Sequence, residues 1–170
     1  MAAFAWLAFA GVREVSAQSN AVNVNGSIVA DSCTIDAPAD IAVNMGQVSV
    51  GTIVAVRVGS PIPAATPATI QLTCQAGANI SITMQDAGSP GSTLPYLALT
   101  PGVGVATGVG IQLMHAGSAV PLGPNATWVV DTNVGGGPES IPLQAHYYRT
   151  ASSVSSGAAN AGALFTLTYP

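Results

Sequence analysis

VNVNGSIVADSC, residues 22–33, is the stretch on which the fold turns. Read as a straight strand, it puts Val22, Val24, Gly26, Ile28 and Ala30 on one face and Asn23, Asn25 and Ser27 on the other. That period of two leaves one face for burial. Asn25-Gly26 is also a strong hairpin signal. A two-residue turn there pairs Val24 with Ser27, Asn23 with Ile28 and Val22 with Val29. A polar residue then opposes an apolar one in two of the three pairs and neither face is apolar, so the straight strand is the better reading. A long apolar-faced strand ahead of the rest of the domain is an aggregation liability unless something covers it.

The same alternation recurs downstream. Ile70, Leu72 and Cys74 share a face, as do Ile80, Ile82 and Met84, then Val109, Ile111 and Leu113. Ile141, Leu143, Ala145 and Tyr147 form a further set, and Ala163, Phe165, Leu167 and Tyr169 the last. Helical periodicity is hard to find. Stretches rich in Gly, Pro and Ser separate the runs, at 59–68, 86–92, 100–108, 133–140 and 152–162, and read as connectors. No segment reads as a linker between domains, and 170 residues suffice for one core. The expectation is a single antiparallel, all-β sandwich of the immunoglobulin-like kind.

Residues 1–12 form an apolar run too short to span a bilayer, and Val15-Ser16-Ala17 resembles a cleavage site, so 1–17 read as a signal peptide. Export makes a disulfide the simplest state of Cys33 and Cys74. A metal site on the two thiolates lacks further ligands, because His115 and His146 follow no zinc-like spacing.

Charge excludes other classes. The chain has no lysine, and Arg13, Arg57 and Arg149 are scattered against seven acidic residues. Nucleic-acid binding requires clustered cations and is set aside. Neither histidine sits in a nucleophile motif: Ser118 follows His115 in a turn-like HAGSA, and His146 is expected on the outward face of its strand. In PGVGVATGVG the glycines Gly102, Gly104 and Gly108 miss the spacing of a dinucleotide loop. Asp31, Asp36, Asp40, Asp86, Asp131 and Glu139 are dispersed. The reading is a protein that is not an enzyme, with no catalytic residue, cofactor, metal or small-molecule substrate. A rival of another class is a secreted carbohydrate-binding β-sandwich acting as a monomer, with Trp128, Tyr96 or Tyr147 as a stacking platform.

Several blocks recur in one order: QSNAVNVNGSIVADSCTI, NMGQV at 44–48, LTC at 72–74, GVGIQL at 108–113, IPLQAHYYRT at 141–150 and GAANAGALFTLTYP at 157–170. Together they resemble the chaperone–usher pilins of type 1-like fimbriae over residues 18–170. The resemblance implies an incomplete immunoglobulin-like sandwich lacking its last strand, completed by a donor strand from another chain. It divides the chain into a donor-strand extension, 18–29, and a pilin domain, 30–170. Val22, Val24 and Ile28 would enter pockets of a neighbour's groove, and Gly26 would lie where only a hydrogen fits. Phe165, Leu167 and Tyr169 would border the groove and meet a periplasmic chaperone, with Cys33 and Cys74 as the family's disulfide. Pro170 departs from the pattern, since a terminal residue with a backbone N–H is usual and proline has none. The implied function is a structural subunit of an adhesive surface pilus, exported through the periplasm. Its implied partners are other pilin subunits, in a homo- or hetero-polymer, a periplasmic chaperone and an outer-membrane usher.

Overall fold

The computed structural model describes residues 32–36, 41–131 and 135–169. The segment 1–17, the extension 18–29 with Val22, Val24, Gly26 and Ile28, and Pro170 lie outside the described residues. Each alternating run becomes a strand, because branched and aromatic side chains suit a pleated surface with one buried face. The strands are β1 (Cys33–Ile35), β2 (Ser60–Pro61), β3 (Thr66–Cys74), β4 (Ile80–Asp86), β5 (Val109–His115), β6 (Ser118–Ala119), β7 (Thr127–Asp131), β8 (Gly137–Arg149) and β9 (Ala163–Thr168). One sheet has the order β1-β3-β8-β5-β6 with β2 also paired to β8, and the other has the order β7-β4-β9. The assigned strand pairs are antiparallel. Ile70 and Leu72 of β3, Ile80, Ile82 and Met84 of β4, and Ile141 and Leu143 of β8 bury their side chains between the sheets. Cys33 and Cys74 are directly opposite in the β1–β3 register and form a disulfide.

The proline-rich 59–68 segment is not only a connector. It contains β2 and the start of β3, and Pro67 stands opposite Gln144 of β8. Likewise β8 begins at Gly137, inside the turn-forming 133–140 stretch, and carries Pro142. A proline removes one ladder donor and is tolerated where a strand has a single neighbour. Both sites qualify: β1 pairs β3 only at its far end, residues 72–74, and β5 pairs β8 only from Gln144 onward. A one-turn helix, α1 (Val50–Val54), also went unread in the sequence. Ser49 caps it, accepting the Thr52 N–H at 3.1 Å.

His146 lies on the outward face of its strand, as expected, and is nonetheless buried, at 7 % exposed. Its strand face is the outer one, but the 92–98 segment crosses that face. Leu97 pairs with Ile111, Tyr96 stacks on Tyr148 with centroids 5.1 Å apart, and Gln112 donates to the Pro95 carbonyl at 3.0 Å. Asp86, 1 % exposed, anchors this crossing segment, its carboxylate accepting the Gly88 N–H at 2.9 Å and the Ala98 N–H at 2.7 Å. Hydrogen bonds to a charged group contribute roughly 1.5–3 kcal/mol each. Asp86→Ala is therefore expected to lower stability by about 3 kcal/mol, and Asp86→Asn, which keeps one acceptor, by about half of that. Urea unfolding midpoints check both; unchanged midpoints would show that the carboxylate does not hold the segment.

Candidate functional site

The last strand, β9, is an edge strand. Its burial alternates: Ala163, Phe165 and Leu167 are half-buried toward the core while Leu164, Thr166 and Thr168 are exposed. In an antiparallel ladder, hydrogen-bonded and non-hydrogen-bonded pairs alternate. The Ala87 N–H donates to the Gly162 carbonyl at 2.9 Å, which sets the phase for the β4–β9 pairing. It follows that Ala163, Phe165 and Leu167 turn their backbone groups away from β4, toward an edge that no other described strand pairs.

Across that edge runs the segment 41–48. Ile41, Val43 and Met45 alternate like a strand, yet no backbone–backbone hydrogen bond joins 41–48 to other described residues. Side chains hold it instead. The Tyr147 hydroxyl donates to the Gly46 carbonyl at 2.9 Å, and the Asn44 side chain accepts the Gly46 N–H at 3.0 Å. Between 41–48 and β9 lies a groove in two connected parts. The narrow part, about 330 Å³, has an apolar lining that includes Val43, Met45, Met84, Leu143 and Phe165. The wide part, about 800 Å³, lies between 42–50 and 154–161 and shares Val43, Met45, Ile111 and Ala161 with the narrow one.

Arg149 organises the wide end. Its guanidinium donates to four backbone carbonyls, those of Val54 at 2.9 Å, Val56 at 2.7 Å, Ala151 at 3.0 Å and Ser152 at 2.7 Å. These bonds tie the chain after α1, which continues one wall, to the loop that begins the other. The rigid, always-charged fork suits this task better than lysine's single ammonium. Pattern reading missed Arg149, Val43 and Met45. The signal for the last two was the Ile41-x-Val43-x-Met45 alternation; for Arg149 it was an isolated cation in a chain with almost none.

Of the groove residues expected from the sequence, Phe165 lines the narrow part, Leu167 packs on the core beside it, and Tyr169 is partly exposed at the strand's end. The Tyr169 hydroxyl donates to the Cys33 carbonyl at 2.5 Å, bridging β9 to β1. The platform aromatics of the rival reading are committed elsewhere. Tyr147 is 8 % exposed, Tyr96 stacks on Tyr148, and Trp128 lies 4.9 Å from the His115 ring. Both histidines have Nδ1 against a backbone carbonyl, His115 at Pro142 and His146 at Ile62. Among the described residues no group of three His, Cys, Asp or Glu is placed to hold a metal ion.

An immunoglobulin-like sandwich open along its last strand, with an apolar groove in the gap, is the fold of chaperone–usher pilus subunits. The chain belongs to the fimbrial protein family, whose family model matches residues 22–170. It is 32 % identical over 168 residues to the type-1 fimbrial protein A chain of Escherichia coli, covering 95 % of this chain and 89 % of that one. It is 29 % identical over 147 residues to the F17c-G fimbrial adhesin of Escherichia coli, covering 81 % of this chain and 41 % of the adhesin. The chain thus spans about two fifths of the length of the adhesins it matches. The crystal structure of the P pilus rod subunit has the same fold, with a TM-score of 0.61 at 22 % identity, over 81 % of this chain and 99 % of that one.

Proposed function

We propose that the chain is a structural, non-catalytic subunit of an adhesive surface pilus, and that its groove accepts the N-terminal extension of another subunit. The observation that carries this reading is the groove itself, whose narrow part is lined by apolar side chains, together with the backbone groups of β9 that turn away from β4. The chain also has a segment of the matching kind. Val22, Val24 and Ile28 present apolar side chains at every second position, with Gly26 at the place of closest approach. Burying those three contributes roughly 5–9 kcal/mol, before backbone hydrogen bonds at about 0.5–1.5 kcal/mol each. A whole domain is stable by only about 5–15 kcal/mol. An empty subunit is therefore marginal and a filled one durable. A secreted subunit of this kind needs a holder in transit and an assembly platform. The reading accordingly includes export through the periplasm, a periplasmic chaperone that grasps Phe165, Leu167 and Tyr169, and an outer-membrane usher.

The test compares the chain with a version lacking residues 18–28, each expressed in a periplasm with its chaperone, on unboiled and boiled denaturing gels. The expected result is a ladder of unboiled oligomers that collapses on boiling and is absent without 18–28. A stable monomer from both versions would overturn the reading.

A further inference from the structure

Two of the chain's methionines line the groove, and one of them lies open to the medium while the groove is empty. We infer that Met45 is an oxidation site that governs the groove: a hydroperoxide entering the empty groove converts its thioether to the sulfoxide, and the oxidised subunit no longer accepts a strand. A strand already seated shields the sulfur. This rests on the reading of the groove as a strand acceptor.

Placement separates the methionines of residues 18–170, which are Met45, Met84 and Met114. Met84, in β4, lines the narrow part but is 2 % exposed and lies beyond the reach of an oxidant in the medium. Met45 is half-buried, packs on the core from the 41–48 segment, and borders both parts of the groove. Its thioether therefore adjoins the wide, open part, where a small oxidant has access. Met114, half-buried in β5, lines neither part and serves as an internal control. Oxidation follows exposure, so Met45 and Met114 react and Met84 does not.

The chemistry needs only hydrogen peroxide. The thioether sulfur attacks one peroxide oxygen, and the S–O bond forms as the O–O bond breaks. The sulfur gives up two electrons, and the departing hydroxide takes the proton from the new oxygen to leave as water. A flexible apolar side chain thereby becomes a polar one whose oxygen accepts hydrogen bonds and donates none. In the empty groove, water supplies the donors. A seated strand removes that water, and the nearest donors are already committed: the Gly46 N–H to the Asn44 side chain at 3.0 Å, and the Tyr147 hydroxyl to the Gly46 carbonyl at 2.9 Å. Val43, Met84, Leu143 and Phe165 around the narrow part offer no donor. The sulfoxide oxygen would be buried unpaired, which opposes burial. Acceptance should weaken roughly 10- to 100-fold. Oxidation thus removes subunits that have not yet accepted a strand and spares those that have.

The test uses the full-length chain refolded without the chaperone and treated with hydrogen peroxide, which is then removed before the subunits are concentrated. Fully oxidised chain should need roughly 10- to 100-fold more subunit to form the same rungs on unboiled gels. Full-length Met45→Leu, treated alike, should need no more than before treatment. In a partly oxidised sample, mass spectrometry of digested rungs should find the share of Met45 sulfoxide falling as the rungs lengthen, because an oxidised subunit can only end a chain. Met114 sulfoxide should keep the same share in every rung. A ladder assembled first and then given the same peroxide should gain oxygen at Met114 and not at Met45. An even share of Met45 sulfoxide across the rungs, equal oxidation of Met45 in ladder and monomer, or a Met45→Leu chain that loses its ladder on treatment would each overturn the assignment while the groove reading stands. If untreated subunits form no ladder at all, both fall together.

Discussion

Phe165→Asp is expected to abolish the subunit's capacity to accept a strand; in subunits refolded without the chaperone, which grasps the same residue, its capacity to donate one should remain. The side chain lines the narrow part of the groove and is half-buried with the groove empty, so an aspartate there keeps contact with water. Filling the groove removes that water. The carboxylate would then be buried without a partner, and leaving a buried charge uncompensated costs about 3–5 kcal/mol. The apolar burial that phenylalanine contributes, about 1.5–3 kcal/mol, is lost as well. Together these weaken strand acceptance by a factor on the order of 10³ or more. The measurement mixes the variant with unsubstituted subunits. The ladder of Phe165→Asp alone should vanish on unboiled gels, whereas in the mixture the variant should be found at one chain end, its extension still in a neighbour. An unaltered ladder from the variant alone would mean that Phe165 does not face the joining strand.

The second large effect belongs to the disulfide. Cys33 and Cys74 are separated by 41 positions, and closing a loop of that size restricts the unfolded chain by an amount worth ~4 kcal/mol in the chain-entropy model. The bond also fixes the edge strand β1, three residues long, against β3. Tyr169 of the groove border reaches β1 at the Cys33 carbonyl. Replacing both cysteines by serine is expected to lower the stability of the empty domain by ~4 kcal/mol, a large share of the ~5–15 kcal/mol typical of a domain. The denaturant midpoint of the isolated subunit should drop accordingly. In the assembled state the loss should be smaller in proportion, because the donor strand adds stability that the disulfide does not supply. Equal midpoints with and without the bond would refute the entropic account.

The strands were legible where one face is buried and the other wet. Ile70-x-Leu72-x-Cys74 and Ile141-x-Leu143-x-Ala145 announce themselves because a two-residue period maps directly onto a pleated sheet with a single core. The burial of His146 was not legible for a reason of the same kind. Its parity put it on the outer face, and parity says nothing about a distant segment, 92–98, crossing that face. The prolines at 67 and 142 looked like breakers because only the pairing reveals where a strand has a single neighbour. Arg149 carried no local pattern at all; its four carbonyl partners come from 54, 56, 151 and 152, brought together by the fold.

The amino-acid sequence by itself determined the all-β class, the pairing of its two cysteines, the exclusion of a cationic nucleic-acid surface, and an N-terminal segment with the alternation of a strand. These are properties of composition and of neighbours two positions apart, and they survive without coordinates. Only the tertiary structure decided which described strands lie at the edges, and that 41–48 and β9 face each other across a groove. The physical reason is that an open groove is an absence of pairing between segments more than a hundred residues apart. A local pattern records which groups want a partner, and only the packed sheets show which of them have none.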